Sequence, residues 1–169
     1  MTTGRNAAEA VSNYRHSVQR AVSCVTTSVV DVAGGYYPSP VPHRLTMNNG
    51  FPVALDGASR FRLELQQYYR IVEVGCPDAS WMVDVVGFYY TIYDSGQREV
   101  LLYHWHPHGN SPVETPHLHL EQGAEVGRAE VRDAHLPTGD VSLKAILRVL
   151  IEEMSVRPRR SDWESILAE

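Results

Sequence analysis

Cysteine is nearly missing from this chain: Cys24 and Cys76 are the only two in 169 residues. They lie far apart and form no C-x-x-C, which removes zinc-finger and dithiol redox motifs. Two separate thiols fit a reducing cytosol, and a cytoplasmic location is expected. No run of about eighteen apolar residues occurs, so no membrane-spanning helix is expected. The nearest imitation of a targeting segment is Ala21 to Val30, behind Arg15 and Arg20. It is short, hydroxyl-rich and followed at once by Asp31, and reads as structural. Excess positive charge is lacking too. A net charge of −5 argues against a general nucleic-acid coat protein, which carries a broad basic surface. It leaves room for a local basic groove, and Arg157, Arg159 and Arg160 form one such cluster. Internal repeats and low-complexity tracts are absent. An apolar share of 43 % and a charged share of 21 % fit one globular domain with a core of its own.

Histidine is what the chain does have, and it is unevenly placed. Five of the eight histidines fall between Leu101 and Leu120, in L-L-Y-H-W-H-P-H-G-N-S-P-V-E-T-P-H-L-H-L. Four form two H-x-H pairs, His104 with His106 and His117 with His119. On a strand, residues i and i+2 share a face at roughly 6.5–7 Å, so each pair sets two imidazoles side by side. Imidazole titrates near neutral pH and is the commonest metal ligand.

Apolar periodicity places this stretch in an α+β fold. Residues 1–30 read as a helical segment, since Val11, Tyr14, Val18, Ala21 and Val25 recur three and four apart. Glu9 near its start and Arg15 and Arg20 near its end suit the helix dipole. The stripe packs on the chain's own sheet or forms a partner or dimer helix. Residues 31–59 read as a Pro/Gly-rich connection, with a short edge hairpin at Asn49-Gly50 between Leu45–Met47 and Phe51–Val53. Residues 60–121 read as an antiparallel meander of four to six strands: Arg60 to Val74, a turn at Gly75–Asp78, Trp81 to Tyr93, a turn at Asp94–Gly96, Glu99 to His106, and Pro116 to Leu120. Residues 140–169 read as two helices, Val141 to Met154 and Ser161 to Ala168, the second with a capping box from Ser161 and Glu164.

Alternation then sorts the faces. Leu101, Tyr103 and Trp105 share one face, and Leu102, His104 and His106 the other. Leu118 and Leu120 oppose His117 and His119. With the large apolar side chains in the core, all four imidazoles lie on the opposite face, and adjacent strands merge them into one patch.

Three readings of the patch compete. In acid–base cleavage of RNA, one imidazole takes the 2′-hydroxyl proton and another protonates the leaving oxygen. Positive charge from a third histidine or Arg157 stabilises the phosphorane. This reading needs no cofactor. In the metal reading, three imidazoles with an open position suit zinc. Two with a carboxylate, from Glu114 or Glu121, suit iron. In the structural reading, the histidines are stacked or hydrogen-bonded beside Tyr103, Trp105 and Pro107. His108, His16 and His43 read as incidental. His135 is a fifth candidate, because Thr138, Gly139 and the following helix start could hold a phosphate. The alternative there is a plain turn with Asp140 or Ser142 as N-cap, and Asp140 would repel an anion.

A strand hairpin ending in a histidine-bearing strand, then P-H-x-H, then a helix, resembles the TumE-type toxins of bacterial toxin–antitoxin modules. The resemblance covers roughly residues 60–125 and is carried by Tyr103 to Pro107 (Y-H-W-H-P) and Thr115 to Leu120 (T-P-H-L-H-L). It implies a small cytoplasmic bacterial endoribonuclease with an RNA substrate, held inactive by a cognate antitoxin protein. For RNA cleavage, His104, His106, His117, His119 and His135 are the expected catalytic residues, with Tyr103, Thr138 and Arg157 binding substrate. The metal alternative uses His104, His106, His117, His119 and Glu121. A non-enzymatic interaction module is the third possibility.

Overall fold

The alternating run from residue 60 to residue 93 forms one long hairpin of two strands, β5 (Arg62–Cys76) and β6 (Ala79–Tyr93), each 15 residues long. The structure, a computed structural model, describes residues 2–56, 60–76, 79–106, 113–127, 131 and 134–168. Pro77 and Asp78 of the expected turn, Gly57, and His108 lie outside them.

Every other strand is laid against this hairpin. On the free edge of β5 run β3 (His43–Met47), paired at Gln66–Tyr69, and β4 (Val53–Ala54), paired at Arg62–Leu63. On the free edge of β6 run β1 (Thr2–Gly4), paired at Trp81–Val83, and β7 (Glu99–Trp105), paired at Phe88–Tyr93. Outside β3 lies β2 (Val30–Ala33). Outside β7 come β8 (His117–Leu120) and then β9 (Leu136–Pro137). The nine-stranded antiparallel sheet has the order β2-β3-β5-β6-β7-β8-β9, with β1 and β4 off that path.

The sheet exceeds the expected four to six strands because β2, β3 and β4 form along the Pro/Gly-rich connection and β1 and β9 add short strands outside residues 60–121. The Asn49-Gly50 hairpin does not form: β3 and β4 both pair with β5 and not with each other. Asn48, Asn49 and Gly50 all have positive φ (51°, 55° and 88°). Asparagine and glycine tolerate that region best. Their short 3-10 turn detours the chain without reversing it, so two strands follow one edge in tandem.

One face of the sheet is apolar. Leu63, Leu65, Tyr69 and Ile71 of β5 and Val83, Phe88, Tyr90 and Ile92 of β6 are buried there. The N-terminal stripe is spent on that face: Ala10, Val11, Tyr14, Val18, Ala21 and Val22 of α1 (Ala7–Val22) join the same core. Asn6 caps α1 by accepting the Glu9 N–H at 2.9 Å. Within this core, Gln67 accepts from the Tyr14 hydroxyl and donates to the Tyr90 hydroxyl, both at 2.6 Å. Buried polar groups need such partners.

The C-terminal segment covers the rest with α2 (Leu143–Glu152) and α3 (Trp163–Leu167). Ser142 caps α2 through the Ala145 N–H, as one of the two expected candidates. The Ser161/Glu164 capping box is not seen. Asp162 occupies the cap position of α3 without a side-chain cap bond, because both its carboxylate oxygens are held by Arg160 at 2.9 Å. No helix among the described residues is long and apolar enough to cross a membrane.

Candidate metal centre

Strand period and register place the histidines. Tyr103 of β7 pairs with the buried core residue Tyr90, so its neighbours Leu102 and His104 face away from the helices. His104 opposes Tyr89 on one side and His117 on the other, while Leu102 opposes His119. The four imidazoles therefore share the face opposite the helical core, as alternation predicts. His135, just before β9, joins them because β9 pairs with β8 at His117 and Leu118.

The result is a tight cluster of five rings. Ring centroids lie 4.0 Å apart for His104–His117, 4.8 Å for His104–His119 and 5.1 Å for His117–His119. His106 is 4.9 Å from His104. His135 is 4.5 Å from His119 and 5.0 Å from His117. The face is not a wet surface: His117 is 1 % exposed and His104 9 %. The rings shield one another, which residue-by-residue polarity does not anticipate.

Three of the five converge. His104, His117 and His119 each offer a ring nitrogen, and these atoms all lie within 4.8 Å of one another. Nδ1 of His117 sits 2.7 Å from the Thr115 carbonyl. A carbonyl only accepts, so Nδ1 carries the proton and the Nε2 lone pair points elsewhere. That Nε2, and both nitrogens of His104, are buried with no hydrogen-bond partner among the described residues. Leaving such groups unpaired costs about 1–3 kcal/mol each. The proton affinity of His104 responds accordingly. Burial, then the neighbouring imidazoles, hold His104 down to about 3. Burial, with His135, His117 and His106, lowers His119 as well.

The remaining candidates lie elsewhere. Tyr103 is on the helical face, where burial raises its hydroxyl pKa, so it cannot meet a ligand bound to the imidazoles. The Arg157 N–H bonds the Asp56 carbonyl, and Arg159 beside it pairs with the Asp56 carboxylate and bonds the Cys24 carbonyl through its N–H. This ties the basic cluster to the end of α1, across the sheet from the histidines. Thr138 spends its N–H on the Pro116 carbonyl and its hydroxyl on the Gly139 carbonyl, so neither donor is turned toward the imidazoles. Glu121 lies with Arg98, Glu99 and Gln122 around a separate shallow pocket. Glu114 is exposed, and its main-chain carbonyl accepts the Trp105 indole N–H at 2.9 Å. Among the described residues no carboxylate joins the three imidazoles. Of the histidines read as incidental, His43 is buried, its Nε2 2.7 Å from the Tyr37 carbonyl and its ring against Tyr69. His16 is exposed on α1.

Tyr89 is a neighbour that no sequence motif marks. Its ring lies 5.6 Å from His104 and parallel to His106 at 5.8 Å. Only the β6–β7 register identifies it. Compared with protein-family models, curated proteins and solved structures, the chain gives no match.

Proposed function

We propose that the imidazole face is a mononuclear divalent-metal centre, best suited to zinc, in a hydrolytic enzyme. The observation that carries this reading is the convergence of His104, His117 and His119, with buried nitrogens of His104 and His117 that have no hydrogen-bond partner among the described residues. Ligands at about 2.0–2.1 Å from one zinc sit about 3.4 Å apart in a tetrahedron. Nitrogens already within 4.8 Å of one another reach that spacing by small χ rotations. The Thr115 carbonyl supplies the outer-shell contact that fixes a metal-binding tautomer. Three neutral ligands leave the full double charge on the metal. A zinc held by these three would supply an activated water, whose pKa such a metal brings to about 7. His135, exposed beside His119 and His117, would serve as the base for that water, and His106 stands beside His104.

The phosphodiester of RNA is the substrate expected from the sequence. A metal-free acid–base route to its cleavage is the second reading, favoured by the contact of solvent-exposed His135 with half-buried His119. The two are separated by elemental analysis of the purified protein and by incubation with RNA. The metal reading expects one zinc per chain, lost in His104→Leu, and cleavage that EDTA stops and zinc restores. Cleavage that persists in EDTA with a metal-free protein would overturn it in favour of the acid–base route.

A further inference from the structure

Beside the imidazole face, on the same side of the sheet, lies a cleft of about 350 Å³ lined by Pro42, Tyr68, Arg70, Gly87, Tyr89 and His106, among others. The cleft owes its floor to a local irregularity. Tyr68 pairs with Gly87, but the next pair is Tyr69 with Val85, so Val86 is an extra residue in β6. A β-bulge of this kind bends the strand and re-aims side chains. Gly87 has no side chain to fill the space, and a Cβ there would stand 2.9 Å from the Trp105 carbonyl oxygen.

The lining combines flat rings with unspent positive charge. Tyr68 and Tyr89 meet edge to face at 6.2 Å, and Tyr89 in turn touches His104 and His106. Arg70 stands two residues from Tyr68 on the same strand face, and Arg44 opposes Tyr68 across the β3–β5 pair. Among the described residues neither guanidinium has an ion pair, although Asp84 faces Arg70 in register. The Arg70 Nε is buried with no hydrogen-bond partner among them. Aromatic faces that stack bases, next to arginines that hold phosphates, are how proteins grip single-stranded nucleotides.

We infer that this cleft seats a nucleotide, its base against Tyr89 and Tyr68 and its phosphate on Arg70 and Arg44. Tyr89 is shared by the cleft and the imidazole cluster, so a bound nucleotide lies one ring from the hydrolytic centre. The inference rests on the proposed hydrolytic reading for its purpose, but not for its test.

Binding is measured by titration calorimetry on the full chain in EDTA, with 5′-UMP, uridine, inorganic phosphate and a short oligouridylate as probes. Zinc content is measured separately on each variant. UMP should bind at least tenfold more tightly than uridine or phosphate. Arg70→Ala and Tyr89→Leu should each weaken UMP about tenfold, while Tyr89→Phe, which keeps the ring, should bind like the parent. All three variants should keep the parent's zinc content. Tighter binding of the oligouridylate than of UMP would identify an RNA strand as the source of the nucleotide, and equal binding would identify a free nucleotide. No UMP binding at millimolar concentration, or uridine binding as tightly as UMP, would overturn the inference whether or not zinc is bound. UMP binding without zinc uptake would leave it standing and sink the metal centre alone.

Discussion

Replacing His104 by leucine should make the metal-free protein more stable while destroying the centre. His104 is 9 % exposed, and neither ring nitrogen has a partner among the described residues. In a neutral ring at least one of those nitrogens is a donor left without an acceptor, at a cost of about 1–3 kcal/mol. Leucine has a similar volume and no polar atom, so His104→Leu should recover on the order of that amount. For a chain of this size, 1 kcal/mol corresponds to roughly 2–4 °C in Tm. In the parent, zinc at a hundredfold excess over Kd should add about 2.7 kcal/mol, or roughly 5–11 °C. The variant should show none of that rise. Thermal unfolding followed by circular dichroism, in EDTA and in zinc, reads both effects. A variant that melts below the parent in EDTA by more than about 1 kcal/mol would show that this imidazole is a satisfied structural group. A zinc-dependent rise that survives the substitution would show that the metal sits elsewhere.

Stability of the metal-free protein should fall on acidification. An unfolded histidine takes a proton near pH 6.5, whereas folded His104 resists down to about 3. Stability is therefore fully present above pH 6.5 and lost as pH falls toward 3, with a slope of at most about 1.4 kcal/mol per pH unit from this residue. Urea unfolding in EDTA at pH 7, 5.5 and 4.5 measures it, and the slope should shrink in His104→Leu. Tyr90→Phe leaves the buried Gln67 amide N–H without its acceptor and should cost about 1–3 kcal/mol; an unchanged urea midpoint would contradict the buried network. Gly87→Ala forces a methyl against the Trp105 carbonyl and should destabilise by about 1–3 kcal/mol, as overpacking does, with a wild-type melt as the contrary result.

The imidazole cluster was legible because strand geometry is a strict two-residue period. In β7 and β8 the apolar partners Leu101, Tyr103, Leu118 and Leu120 left one direction for His104, His106, His117 and His119. The short connection between those strands allowed the pairing that the structure shows. Tyr103 illustrates the limit: the same alternation that assigns the histidines puts it in the opposite layer, so its place in the motif says nothing of substrate. Strands β1, β2 and β4, of two to four residues, contain too few alternations to register as a period, and glycines and prolines between them read as loop. Tyr89 and the cleft depend on cross-strand register and on one bulge. Those are tertiary properties that no local pattern carries.

The imidazoles are also unevenly anchored. His104 stands on β7, zipped along the rigid central hairpin, whereas His117 and His119 stand on a four-residue strand bordered outward by only two paired residues of β9. Short border segments of this kind detach at a fraction of the energy needed to unfold the whole chain. A metal bridging β7 and β8 would work as a clasp, making detachment of the border wait for metal release. Amide hydrogen exchange in His117–Leu120 would then slow sharply on loading, while β5 and β6, already locked, would exchange as before.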